Sequence, residues 1–156
     1  MGDAARTRGP RPGTGAAPPG GATLVNIQTL LWVNTVPTRS LGTVRLLGHQ
    51  VRLDVTAARV DWDFGDHVHT SSATPGVAYS ASRPCTTALC AGYFGHVYRA
   101  TGPMRITATV TWTGRYQVDG RAWQPIPRTV TGPPAALTLT VRQARGVLVP
   151  DPPGTK

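Results

Sequence analysis

From Met104 to Thr113 the chain alternates without a break. Met104, Ile106, Ala108, Val110 and Trp112 fall on one side, and Arg105, Thr107, Thr109, Thr111 and Thr113 on the other. A period of two sustained over this length belongs to an extended strand with one buried and one wet face; a helix would scatter the same apolar residues around its circumference. A dry sheet face must be covered, so the stretch points to an antiparallel strand of a sandwich. Val60-Asp61-Trp62-Asp63-Phe64 repeats the pattern on a shorter scale and stops at Gly65-Asp66, a turn signal. Trp62 and Phe64 are expected to bury large area against Ile106 and Val110.

The remaining segments read the same way. None has sustained helical periodicity, and 18 Gly and 15 Pro accompany abundant Thr and Val, which argues for an all-β class and one domain. Residues 23–36 form an irregular first strand or a pair of short ones, ended by Pro37. Residues 43–47 and 50–56 flank Gly48-His49, read as the two-residue connection of a type II′ hairpin. The long strand continues to Val118 and turns at Asp119-Gly120, a type I′ pair. Its return arm through Arg121, Ala122 and Trp123 meets Pro125 and Pro127, which confine it to an edge. A last strand, 137–141, alternates Leu137, Leu139 and Val141 with Thr138, Thr140 and Arg142, and 147–149 extend it.

The loop 67–92 exceeds the usual connection length, so it is read as functional, disordered or pinned. Cys85 and Cys90 within it supply a candidate pin. In an exported protein they would close a small loop worth on the order of 2 kcal/mol, whereas in the cytosol they would stay free thiols. Residues 1–22 hold too much Gly and Pro to offset their ordering entropy and are expected to be a flexible arm. Residues 150–156 make a flexible tail, leaving 23–149 as the folded domain. No apolar run serves as a signal peptide or spans a bilayer; the most apolar stretch, 24–36, is broken by Asn26, Gln28 and Asn34. The arm looks like the linker that follows a removed anchor, so a truncated or mis-started reading frame is expected.

The formal net charge of +9 raises nucleic acid, an anionic membrane or an acidic cell-wall polymer as neighbours. The distribution argues against a groove reader. Arg6, Arg8 and Arg11 sit in the arm, the other arginines are spread singly, and there is neither a recognition helix nor an aromatic platform. A solvated basic surface is the preferred reading and polyanion binding the alternative. Gly13-Thr14-Gly15 and Gly20-Gly21 lack the following Gly-Lys-Ser/Thr of a phosphate loop, so no nucleotide is expected.

Three aspartates within six residues invite a metal reading. Asp61, Asp63 and Asp66 with a loop carbonyl offer oxygen ligands to calcium, but Asp66 lies past the turn and no EF-hand spacing exists. His67 and His69, with His96 as a third ligand, would suit zinc or copper. Exposed loop histidines and a hydrogen-bonded His96 beside Tyr98 are the preferred account. For a hydrolase, Asp61 and Asp63 would share a proton, or Ser71 or Ser72 would sit near His69; no elbow or triad motif surrounds them. No catalytic residue, metal or cofactor is therefore assigned. Asp63 and Asp66 are expected to accept backbone N–H bonds inside the turn.

Trp62-Asp63-Phe64-Gly65-Asp66, followed by Gly95-His96-Val97-Tyr98 and then by Gly102, Met104, Ile106 and the run from Thr107 to Val110, resembles the signature of PKD domains. There a Trp-Asp-Phe-Gly-Asp-Gly turn precedes a His-x-Tyr segment and an alternating strand. More narrowly, the chain resembles small PKD-like envelope proteins of high-GC Gram-positive bacteria. Those carry a similar paired-Cys loop, a Thr-Ala-Thr-Val-Thr-Trp strand and a Val-Arg-Gln-Ala-Arg end. The resemblance covers about residues 23–150. It implies an Ig-like β-sandwich of about seven strands, usually extracellular, and used for protein or polysaccharide contact or as a spacer, with no catalytic residues; Cys85 and Cys90 remain a possible disulfide. Two features depart from it: the export signal is missing, and His67 replaces the Gly after Asp66. Gly supplies a left-handed backbone easily, so the turn is expected to differ. The resulting expectation is a non-catalytic interaction or structural module at the cell envelope. Polyanion binding through the arginines, and metal-dependent hydrolysis, are the alternatives.

Overall fold

Two long strands set the architecture of the computed structural model, which describes residues 13–144. In chain order the strands are β1 Thr14–Ala17, β2 Ala22–Leu24, β3 Gln28–Val33, β4 Thr38–Leu46, β5 His49–Asp63, β6 His69–Ser72, β7 Gly95–Val97, β8 Gly102–Val118, β9 Gln124–Thr131 and β10 Ala135–Arg142. The described residues are all-β with no helix. β5 and β8 run antiparallel from Val51↔Val118 to Asp63↔Thr107 and are long enough to take two neighbours each on their outer sides. β4 borders the first half of β5 and β6 the second. β10 borders the first half of β8 and β9 the second, and β2 joins β10 in parallel. A second sheet, β1-β3-β7, is antiparallel throughout.

The core lies where the small sheet covers the large one. Met104, Ile106, Ala108 and Val110 are buried as their alternation requires, against Val60, Trp62, Phe64, Leu139 and Val141 within their own sheet and Leu31, Val33 and Tyr98 opposite. Burying aliphatic and aromatic side chains at this density is what stabilises a two-layer sheet structure. Thr23 and Thr29 are buried in the same region, and their hydroxyls satisfy each other at 2.7 Å.

The small sheet covers only half of the large one. β4, the first half of β5, the second half of β8 and β9 project beyond it, and β4 is exposed at every position. Trp112, although in register with the buried residues of β8, is half-buried because it lies at this boundary. Register shifts at Ser40/Gly42, Ala57/Arg59 and Trp112/Gly114 interrupt the ladders here. Such bulges bend the strands that carry them, and the projecting half curls towards the end of β3.

Several local expectations need correction. The hairpin between β4 and β5 turns at Leu47-Gly48, not Gly48-His49: Leu46 pairs with His49, and φ is +50° at Leu47 and +81° at Gly48. Two positive values make a type I′ geometry, which follows the strand twist better than the first-position glycine suggested. The arm expected over 1–22 is structured from its described start. β1 pairs with β3 from Thr14↔Val33 to Ala17↔Leu30, and a Cβ on Gly15 would overlap the Trp32 indole at 2.2 Å. Backbone pairing, a close glycine contact and the burial of Ala17 order this segment. Within the loop expected over 67–92, His69–Ser72 is strand β6, held by the ladder Val60↔Ser72 to Asp63↔His69. The segments 1–12, 147–149 and 150–156 lie outside the described residues.

Candidate functional site

The aspartate-rich turn is closed by its own residues. Asp63 Oδ1 accepts from Gly65 N at 2.9 Å, and Asp66 Oδ1 accepts from Val68 N at 3.3 Å. Gly65 has φ +82°, and a Cβ there would sit 2.7 Å from the Arg105 carbonyl oxygen, so both backbone shape and space require glycine. His67 was expected to alter the turn; it instead adopts φ +68°, the left-handed conformation that His tolerates better than most side chains.

Behind the turn a polar and aromatic cluster fixes β5 to β7. His96 Nε2 meets Asp66 Oδ2 at 2.6 Å, both side chains largely shielded from solvent. The His96 ring stacks on Phe64 at 4.0 Å and meets Tyr98 edge-on at 4.6 Å, while the Tyr98 hydroxyl donates to Phe64 O at 2.8 Å. Burial, and then the negative charges of Asp66 and Asp63, push the Tyr98 phenol above the usual tyrosine range. Phe94, which the sequence did not single out, stacks on Trp62 at 4.9 Å. All seven residues of the sequence motif are thus gathered in one region, bonded and packed as structure.

The metal and hydrolase candidates separate into two groups. Asp61 and Asp63 face outward from β5 opposite Thr109 and Thr107, with His69 and Ser71 beside them in a shallow cleft of about 630 Å³. Asp61 is held by Arg59 at 2.6 Å, and the His69 ring lies 3.8 Å from Asp63. Asp66 is on the other side of the turn with His96. The calcium triad is therefore divided, as is the histidine trio, and among the described residues no three His, Cys, Asp or Glu side chains converge. Ser72 belongs to the fold: its hydroxyl accepts from Trp62 Nε1 at 3.0 Å and donates to Thr74 O at 2.7 Å. The remaining described aspartates are also paired. Asp54 takes Arg115 at 3.0 Å, and Asp119 takes His49 and Gln50 N, which hold its carboxyl below the usual aspartate range.

Cys85 and Cys90 are joined as a disulfide, their Cα atoms 5.5 Å apart. Cys90 N donates to Gln28 Oε1 at 2.6 Å and Gln28 N to Ala88 O at 3.1 Å, which clamps the closed loop onto β3. Tyr93 tightens its base by donating to Arg83 O at 2.7 Å. Gln28 was invisible as a partner because 62 residues separate it from Cys90.

An apolar concavity was not foreseen. An apolar groove of about 950 Å³ opens where the projecting half of the large sheet curls past β3, lined by Trp32, Val36, Val55, Val77, Trp112 and Val130, with Arg39 its one charged side chain. Trp112, continuing the dry face of β8 beyond the covered core, was the sequence signal for it. The chain has no match among family models, curated proteins or solved structures.

Proposed function

We propose that this chain is a non-catalytic β-sandwich interaction module of the cell envelope, of the Ig-like, PKD-related kind its Trp-Asp-Phe-Gly-Asp turn resembles. The observation that carries this reading is the apolar groove. It offers two indoles and aliphatic side chains but no carboxylate, imidazole or thiol, a lining suited to holding a ligand and not to moving a proton. Asn34, Thr35 and Arg39 are the polar side chains among mostly apolar ones in this lining, a balance that suits an apolar segment of a partner protein better than a hydroxyl-rich polysaccharide. The bonded state of every described aspartate supports the same reading. An oxidised Cys85–Cys90 pair fits an extracellular location, and no helix among the described residues is long and apolar enough to cross a membrane.

The test is co-sedimentation of the purified chain with an isolated cell-envelope fraction. Val130, 65% exposed at the groove's edge, is replaceable by Asp without disturbing the core. With lipid extracted from the fraction beforehand, the wild type is expected to sediment with undigested envelope, to lose binding after the envelope is digested with protease, and Val130→Asp to remain in solution. Binding that survives proteolysis, or a Val130→Asp variant that sediments like the wild type, overturns the reading.

A further inference from the structure

The far end of the projecting sheet consists of two hairpin turns side by side. Leu47-Gly48 links β4 to β5, and Asp119-Gly120, with φ values of +49° and +73°, follows β8. Asp119 ties them together. Its carboxylate takes His49 Nδ1 at 2.6 Å and Gln50 N at 2.9 Å, and its own N donates to Gln50 O at 2.9 Å. The end therefore has a fixed shape.

Leu47 is the feature that folding does not account for. Its side chain is 99% exposed and it occupies a left-handed position that Asn, Asp or Gly fills with less strain. Leu46 beside it is 58% exposed. Cations line this end: Arg45 and Arg121 flank the two turns, and farther along the sheet, level with Thr43 and Asp54, Arg52 and Arg115 hold the Trp123 indole at 5.8 and 4.3 Å. Against these four arginines stand two carboxylates, Asp54 and Asp119, each already bonded.

The geometry points to peripheral contact between this end and an anionic phospholipid bilayer. Leu46 and Leu47 enter the acyl boundary, the indole sits at headgroup depth, and Arg45 and Arg121 meet lipid phosphates. A fluid bilayer accommodates a convex apolar tip without a preformed pocket. An acidic polymer would use the arginines and leave the leucines unexplained. The contact does not depend on the groove, which lies nearer β3.

Sedimentation of the full chain with phospholipid vesicles tests this. Retention is expected on vesicles of phosphatidylcholine mixed with phosphatidylglycerol, not on phosphatidylcholine alone, and it should fall as salt is raised. Leu47→Asn should bind about tenfold more weakly, the equivalent of one leucine partly withdrawn from the acyl boundary. Asn-Gly suits the type I′ turn, so the melting temperature of that variant should stay level or rise, which removes misfolding as a cause. Val130→Asp should bind vesicles like the wild type, keeping this surface distinct from the groove. Absence of retention, equal retention on neutral vesicles, or wild-type binding by Leu47→Asn refutes the proposal. If Leu47→Asn binds fully while Arg45→Gln and Arg121→Gln together release the chain, the arginines serve a polyanion instead.

Discussion

Trp62 sits at the centre of the core, 2% exposed, its indole stacked on Phe94 and its Nε1 tied to Ser72. Removing it leaves a large cavity and takes from the Ser72 hydroxyl one of its two bonds, so Trp62→Ala should cost about 3–5 kcal/mol in urea denaturation. A variant as stable as the wild type would place the core elsewhere. Gly65→Ala tests a different force. The residue holds φ +82° against the Arg105 backbone, and the added methyl should destabilise by about 1–3 kcal/mol, read in the same titration. Tyr98 gives the fold a pH limit. Its folded phenol titrates above the free value near 10, so up to about pH 10 both states keep the proton and stability is unaffected. Above that, the unfolded chain ionises first and stability falls as pH rises. Tyr98→Phe should flatten this alkaline loss in circular dichroism, at the expense of the bond to Phe64 O.

At the scale of elements, the Cys85–Cys90 loop stands in for a strand. Residues 73–94 contain no regular structure, yet Gln28 bonds both Ala88 and Cys90 and so fastens the loop beside β3. Reduction should lower the melting temperature, with a loss on the order of 2 kcal/mol for a loop this short; an unchanged midpoint under reductant would show that the hydrogen bonds alone hold the loop. β5, β8 and β10 were legible in the sequence because each alternates across a buried face. β1 and β6 were not, since Thr14–Ala17 and His69–Ser72 carry no apolar side chain larger than alanine and are held largely by backbone ladders with β3 and β5. The motif residues were also legible as a set, but the pairing of Asp66 with His96 joins positions thirty residues apart that no local pattern connects. The groove was hidden for a further reason: the apolar positions of β5 switch parity from Val51, Leu53 and Val55 to Val60 and Trp62 across the bulge at Ala57/Arg59, but that switch does not tell how far the sheet bends or what the bend faces.

The whole molecule is a two-layer core with a single-layer extension, and the two parts differ in what holds them. In the core, Ile106, Val60 and Leu139 are sealed between sheets, so exposing their amides requires global unfolding. In the extension the ladders of β4 with β5 and of β9 with β8 have one face in water and the other on an open groove, and every residue of β4 is exposed. Fewer buried apolar contacts mean a smaller free energy of local opening. Amide hydrogen exchange should therefore rank Val44 of β4 well below Ile106 and Leu139, with Val55 and Val110 between them, although β5 and β8 run unbroken through both regions. A bound segment in the groove would supply the missing second layer, so slowed exchange at Val55 and Val130 on mixing with solubilised envelope protein is the expected sign of an occupied site. Equal protection along all of β5 in the free chain would mean that the extension is already stabilised as firmly as the core, and that the groove is not where this sheet is incomplete.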